Sequence, residues 1–202
     1  MSWDSAYTDG WAPWDIGAPQ PAFVELAERG EFTSPVLDSG CGTGENSLML
    51  AARGLDVTGI DIAPTAIERA RAKAGRRGVA THFEVGDVLA LTRFRHRFKS
   101  VVDCGVFHTF DDILRPRYVE SLASAVADGG VIHLLCFSDR VPGTTGPRRV
   151  SQAELRAAFA DGWQVEHIDE SAFAVKADFS AVQPHAWLVR IVRREPRPDG
   201  GR

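Results

Sequence analysis

The stretch VLDSGCGTG, residues 36–44, decides the fold. It begins with a short apolar run, reaches a carboxylate at Asp38, and then places glycines at 40, 42 and 44. An apolar run that stops at such a cluster predicts a buried strand entering a tight loop. The residues that follow, ENSLMLAARG (45–54), bring Leu48, Leu50, Ala51 and Ala52 together ahead of Gly54, the pattern of a helix closed by glycine. Glycines at Gly40, Gly42 and Gly44 strip side chains from the turn between strand and helix. The backbone there can pass close to a ligand.

Working outward, the chain keeps alternating short apolar runs with helical patterns. DVTGID (56–61) predicts a second strand, and APTAIERARAKAGRRG (63–78) an amphipathic helix that starts at Pro64 and buries Ala66, Ile67, Ala70 and Ala74. THFEV (81–85) and SVVDCG (100–105) are the third and fourth strands. RPRYVESLASAVADGG (115–130) carries a helical stripe of Tyr118, Val119, Leu122 and Val126, and VIHLLCF (131–137) is a fifth strand. Ser151 with Glu154 forms a capping box that opens a helix to about Ala160. WQVEHIDESAF (163–173) and HAWLVRIV (185–192) close the chain as a strand pair. Strands separated by crossover helices require parallel pairing. The fold expected is therefore α/β: Rossmann-like and doubly wound, with a mostly parallel seven-stranded sheet, helices on both faces and a C-terminal antiparallel pair. One domain over 1–195 is expected, divided into an N-terminal lid/helix segment (1–34), a core (35–140) and a C-terminal part of the sheet and loop (141–195), with a polar tail at 196–202.

The bulk numbers narrow the partner. Of 202 residues, 44% are hydrophobic and 25% charged, enough for one full-sized core, and the net charge of -4 offers no broad basic surface for phosphates. No nucleic-acid or membrane partner is expected, and no obligate protein partner is evident. Cys41, Cys104 and Cys136 are widely spaced, without metal-ligand or disulfide patterning. No metal is expected, and a reducing cytoplasm fits. No targeting segment and no run of eighteen apolar residues stands out.

Two cofactor classes use a glycine turn after a first strand. The dinucleotide fingerprint G-x-G-x-x-G fails, because Glu45 or Ser47 occupies the third glycine, and Glu45 puts a negative charge where a pyrophosphate would sit. The pattern present is D-x-G-x-G-x-G, followed by carboxylates Asp61 and Asp87 at the ends of the next two strands. In this the chain resembles the class I S-adenosylmethionine-dependent methyltransferases, over residues 35–140. The resemblance implies S-adenosylmethionine as cofactor and S-adenosylhomocysteine as product. It makes Asp38 the partner of the amino group, Asp61 the acceptor of both ribose hydroxyls, Ile62 and Val88 the adenine neighbours and Asp87 the partner of the adenine amine. Gly40, Cys41, Gly42, Gly44 and Cys104 would complete the cofactor site.

After the fourth strand, DCGVFHTF (103–110) lacks the N-P-P-Y type motif of amide and base methylation. His108 has the chemistry of a general base for an acceptor hydroxyl or thiol; a packed histidine is the alternative. PWDIGAPQPAFVEL (13–26) and LLCFSDRVPGTTGPRRVSQAELRAAFADGW (134–163) resemble the small-molecule branch that includes heterocyclic-toxin, thiopurine and thiol/halide methyltransferases. That resemblance implies methyl transfer to a hydroxyl or other heteroatom of a small aromatic or heterocyclic molecule. A thiol or halide methyltransferase, an NAD-dependent oxidoreductase and a non-catalytic S-adenosylmethionine-binding module are the alternatives. Tyr7, Trp11, Trp14, Phe107 and Phe137 are expected to wall a flat acceptor. WAPWDIGAPQP (11–21) is too aromatic for a disordered leader, and its prolines restrict the backbone. It is read as a lid, with Trp14 reaching both ligands.

Overall fold

β1 (Val36–Ser39) and β2 (Val57–Asp61) are buried at every position, which is the condition of parallel strands covered on both faces. The computed structural model describes residues 2–143, 146–180 and 183–195. The expected tail at 196–202 and two threonines of the Gly-Thr-Thr-Gly-Pro loop lie outside them.

Seven strands form one sheet in the order β3-β2-β1-β4-β5-β7-β6, with β3 (His82–Val85), β4 (Phe98–Cys104), β5 (Val126–Phe137), β6 (Trp163–Ala172) and β7 (His185–Arg193). β1 through β5 pair in parallel, whereas β7 runs antiparallel between β5 and β6. The chain moves outward from β1 to β3 and then returns to lay β4 on the other side of β1. Ligands in such sheets bind at that reversal, beyond the carboxyl ends of the strands.

Alternation along the strands sorts the core. Leu37, Val101, Ile132 and Leu134 join one apolar cluster with Tyr118, Val119 and Leu122 of α5 (Leu114–Ala125) and Leu155 of α6 (Gln152–Ala158). Val36, Val102 and Leu135, each one residue away, join a second cluster with Phe23 and Leu26 of α2 (Pro21–Glu28) and Met49 and Leu50 of α3 (Glu45–Ala51). α4 (Pro64–Arg77) packs Ile67 and Ala70 on Leu48 and Phe83. The capping box is present: Ser151 Oγ accepts from Glu154 N–H, and Glu154 Oε2 accepts from Ser151 N–H.

Two boundaries differ from the sequence reading. The helix read through Gly130 ends at Ala125, and β5 begins at Val126, which pairs with Phe98; the register then shifts, so that residues 127–130 are passed over and pairing with β4 resumes at Val131 opposite Ser100. The N-terminal segment contains two helices, α1 (Trp3–Thr8) and α2. Among the described residues no helix is long and apolar enough to cross a membrane.

Candidate functional site

At the reversal of strand order lies a cavity of about 480 Å³. Its floor is the glycine turn. Gly40 has φ +66°, and a Cβ on it would lie 2.2 Å from Val106 Cγ2. Gly42 has φ +53°, and a Cβ there would meet the Tyr7 hydroxyl at 2.8 Å. Both positions combine a left-handed backbone with a close approach, so only glycine fits.

Asp61 ends β2, is 7% exposed and lines the cavity. Its Oδ2 accepts from Gly42 N–H at 2.8 Å and its Oδ1 from Ala63 N–H at 2.9 Å. The carboxylate thus ties the glycine turn to the end of β2, and each oxygen keeps a second lone pair for a ligand. Burial raises its pKa against those backbone bonds. Asp87, at the mouth, accepts from Leu89 N–H at 2.8 Å. Ile62, Val88, Cys41, Gly44 and Cys104 also line the cavity.

Asp38 departs from expectation. It is absent from the cavity wall and fully buried beneath the turn, where Oδ2 accepts from Ser47 Oγ at 2.6 Å. Its Oδ1 has no partner among the described residues. Asp38 therefore lies one layer below the cavity wall on which it was expected. Its neighbour Asp103 ends in a network: it accepts from Val106 N–H, Phe107 N–H and Tyr118 Oη, and Tyr118 Oη bonds Ser39 Oγ. Burial pushes Asp38 up to about 7 and Asp103 up to about 6.

A carboxyl whose folded pKa lies above its unfolded value binds protons more tightly when folded. Its contribution is full below about pH 4 and is lost as pH rises through the folded pKa. Asp38→Asn should therefore gain about 2–3 kcal/mol of unfolding free energy relative to the wild type between pH 5 and pH 8, at about 1.4 kcal/mol per unit over two units. Denaturant titrations at the two pH values measure this. An unchanged difference would place the Asp38 ionisation elsewhere.

Glu45 changes meaning in three dimensions. It is 8% exposed, pairs with Lys73 Nζ at 2.8 Å, and is gripped by both Arg77 Nη atoms. Burial raises its pKa, but Arg77 and Lys73 outweigh it and hold the carboxyl below its usual value. Its charge is compensated, so the glycine spacing, not Glu45, argues against a dinucleotide.

Tyr7, Trp11, Trp14 and Phe137 line the cavity as expected, whereas Phe107 does not. Phe107 is fully buried, stacked on Phe159 at 5.6 Å with the Arg115 guanidinium 4.7 Å from its ring. Phe107 and His108 share a single 3₁₀ turn (Phe107–Thr109), and successive residues of such a turn diverge, one to the core and one to the cavity. Phe173, Val175 and Phe179 are cavity residues that the sequence reading missed. They follow β6 in a connection with no periodic pattern.

His108 is 4% exposed, with Phe137 edge-on at 4.9 Å and Phe173 at 5.8 Å. Its Nδ1 accepts the Phe137 N–H at 2.9 Å. Since a backbone N–H can only donate, the neutral ring carries its hydrogen on Nε2 and has no free lone pair. Burial first, and the charge of Arg149 second, lower its pKa to about 3. This geometry does not present the lone pair that the expected general base needs: the ring turns an Nε2–H toward the cavity instead.

The N-terminal segment is fastened over the cavity at several points. Asp4 Oδ1 accepts from Thr65 N–H at the start of α4, Arg69 Nη2 donates to the Tyr7 carbonyl, and Lys176 N–H donates to the Pro13 carbonyl. Thr43 Oγ1 donates to Asp15 Oδ1 at 2.7 Å and accepts from Lys73 Nζ at 2.6 Å. Trp14 donates from Nε1 to Tyr7 Oη at 3.0 Å and sits among Trp3, Tyr7 and Trp11 in edge-on contacts. Gln20 clamps the Ala174 backbone through both side-chain atoms.

The chain matches known proteins in sequence and in fold. A model of the thiopurine S-methyltransferase (TPMT) family matches residues 1–193. The 2-heptyl-1-hydroxyquinolin-4(1H)-one methyltransferase of Mycobacteroides abscessus is 37% identical over 169 residues, 82% of this chain and 74% of that protein. A structure solved for the conversion of a disulfide bond into a thioacetal group during echinomycin biosynthesis is 40% identical, with a TM-score of 0.86, over 95% of this chain and 91% of that one. The Burkholderia thailandensis 1,6-didemethyltoxoflavin-N1-methyltransferase, solved with its substrate and S-adenosylhomocysteine, shares the fold at 21% identity and a TM-score of 0.75, over 95% and 85%.

Proposed function

The chain belongs to the thiopurine S-methyltransferase family and is an S-adenosylmethionine-dependent methyltransferase of small molecules; from that premise we propose that its acceptor is a flat aromatic or heterocyclic molecule, methylated at a hydroxyl or other heteroatom. The observation that carries this reading is the wall beyond the glycine turn, where Tyr7, Trp14, Phe110, Phe137 and Phe173 present ring faces and edges to one space. Such walls hold planar rings and attract a sulfonium as well. The M. abscessus relative, named for a hydroxyquinolone, supports the same class.

The residues present suit the cofactor. The Asp61 carboxylate would accept from the ribose hydroxyls, Ile62 and Val88 would flank the adenine, and Asp87 would accept from its amine. The turn from Gly40 to Gly44 would bring backbone against the methionine end, with Trp14 and Cys104 beside it, and the orphaned Asp38 Oδ1 offers a buried negative pole for the ammonium. When bound, the cofactor supplies an electrophilic methyl on sulfur. The chain's own task is to hold the acceptor heteroatom in line at about 3–3.5 Å and to exclude water, effects worth roughly 7–11 kcal/mol without proton transfer.

S-methylation is the second reading, favoured by the family's thiopurine name and by the disulfide chemistry of the echinomycin relative. A screen of S-adenosylhomocysteine release over hydroxyquinolines, phenols, quinols, thiols and halides separates the two. Turnover of hydroxylated heterocycles supports the first, whereas turnover confined to thiols or halides replaces it. Cofactor binding without release from any acceptor would leave a binding module.

A further inference from the structure

We propose that this site takes its acceptor already deprotonated, and that His108 selects it by presenting a fixed Nε2–H to the acceptor oxyanion. The inference rests on the methyl-transfer reading above and narrows the substrate to hydroxyls that ionise near neutral pH, such as phenolic and N-hydroxy groups acidified by an electron-poor ring.

The ring cannot be turned to accept a proton without loss. The Phe137 N–H in β5 occupies Nδ1, and moving it away would leave a buried backbone donor unpaired. Phe137 and Phe173, in contact with each other, both pack against the imidazole. Nε2 lies on the Gly105 side, 3.1 Å from where a Cβ on Gly105 would stand, and Gly105 and His108 both line the cavity. A side chain on Gly105 would collide with Phe173 at 2.9 Å and crowd the donor, so glycine keeps that side of the ring clear.

The electrostatics agree. Phe137, Phe173 and Gly105 pack on the ring without charge, and Arg149, whose guanidinium lies 5.9 Å from the Phe137 ring centre, is the charged group acting on it. A cation there disfavours imidazolium and favours an anionic ligand. The carboxylates of the cavity wall are engaged elsewhere: Asp15 with Thr43, Glu45 with Lys73 and Arg77, Asp61 with Gly42 and Ala63, and Asp87 with Leu89. Asp103 beside the turn is fully buried in its own network.

The step balances without a base. The hydroxyl gives its proton to solvent before binding. The oxyanion then forms the new bond to the methyl carbon, the carbon–sulfur bond breaks with its pair on sulfur, and anion and sulfonium both become neutral. His108 keeps its hydrogen throughout. Opposite charges that vanish in the reaction are reactive in an apolar, water-poor cavity.

Two measurements test this. In kcat/KM against pH for phenols and hydroxyquinolines of graded acidity, the rising limb should move with each acceptor's own ionisation; a limb fixed for all acceptors overturns the proposal. Independently of turnover, a nitrophenol bound to the enzyme with S-adenosylhomocysteine should ionise about one pH unit or more below its solution value, read from the visible band of its anion. His108→Gln, which can still donate, should keep part of that shift, and His108→Phe none. A nitrophenol bound with an unchanged or raised pKa overturns the proposal. Absence of S-adenosylhomocysteine release from every acceptor would instead refute the methyl-transfer reading, and the nitrophenol titration would still decide the ionisation.

Discussion

Asp61→Ala is expected to weaken S-adenosylmethionine binding by about 100-fold or more, nearly 3 kcal/mol, and to remove turnover at ordinary cofactor concentrations. The carboxylate does two things from one buried position. It satisfies the Gly42 and Ala63 N–H groups, and its remaining lone pairs face the cavity where the ribose would lie. Alanine deletes the ligand bonds and leaves two donors unpaired, at about 1–3 kcal/mol each, in a turn whose Gly42 is already left-handed. Asn is no rescue, since one of its two side-chain termini must be an amide facing a backbone N–H. Calorimetric titration with S-adenosylmethionine, with thermal unfolding as the check on folding, measures the effect. A loss below about tenfold would mean that the ribose is held by other groups.

What was legible in the sequence follows from how local each feature is. The strand, glycine turn and helix around Gly40 to Gly44 use contiguous residues, and so does the capping box at Ser151, which the structure reproduces. The placement of Asp61 and Asp87 after the second and third strands needed only periodicity, whereas the roles expected of them came from the resemblance to the methyltransferases. The features that escaped depend on partners far along the chain. The direction of the His108 donor is set by a backbone N–H 29 positions away, and the charge of Glu45 is cancelled by Arg77, 32 positions away. Phe107 left the cavity wall expected for it because a 3₁₀ turn sends it into the core, and the chain leaving β6 brings Phe173, for which no role was expected, to the cavity. Helix was expected somewhere in residues 1–34, but the bounds of α1 and α2 were not legible, because the stretch between them is rich in proline and tryptophan, which obscures a helical period.

Deleting residues 1–17 should abolish turnover, by about 1,000-fold or more, while the sheet still folds. Of residues 1–17, the apolar clusters that bind the sheet to α2, α3, α5 and α6 include Trp14 alone, and that as a partly buried residue at the edge of the second cluster. What the segment buries is a small cluster of its own, Tyr7 and Ala12 against Ala63 and Ala66, together with the edge-on aromatics around Trp14. Its attachments converge on the cofactor side: Thr65 and Arg69 lie on α4, Thr43 lies in the glycine turn, and the Tyr7 hydroxyl stands where a side chain on Gly42 would be. Without it the turn loses its cover, water enters, and the acceptor loses the ring faces of Tyr7, Trp11 and Trp14. Binding of S-adenosylmethionine should weaken by about tenfold or more from the lost contacts. Trp14→Phe isolates one link, because it keeps a ring but gives up the Nε1–H bond to Tyr7; its turnover should fall between wild type and truncation. A truncated chain that folds and turns over at the wild-type rate would show that the aromatic segment packs on the site without serving it.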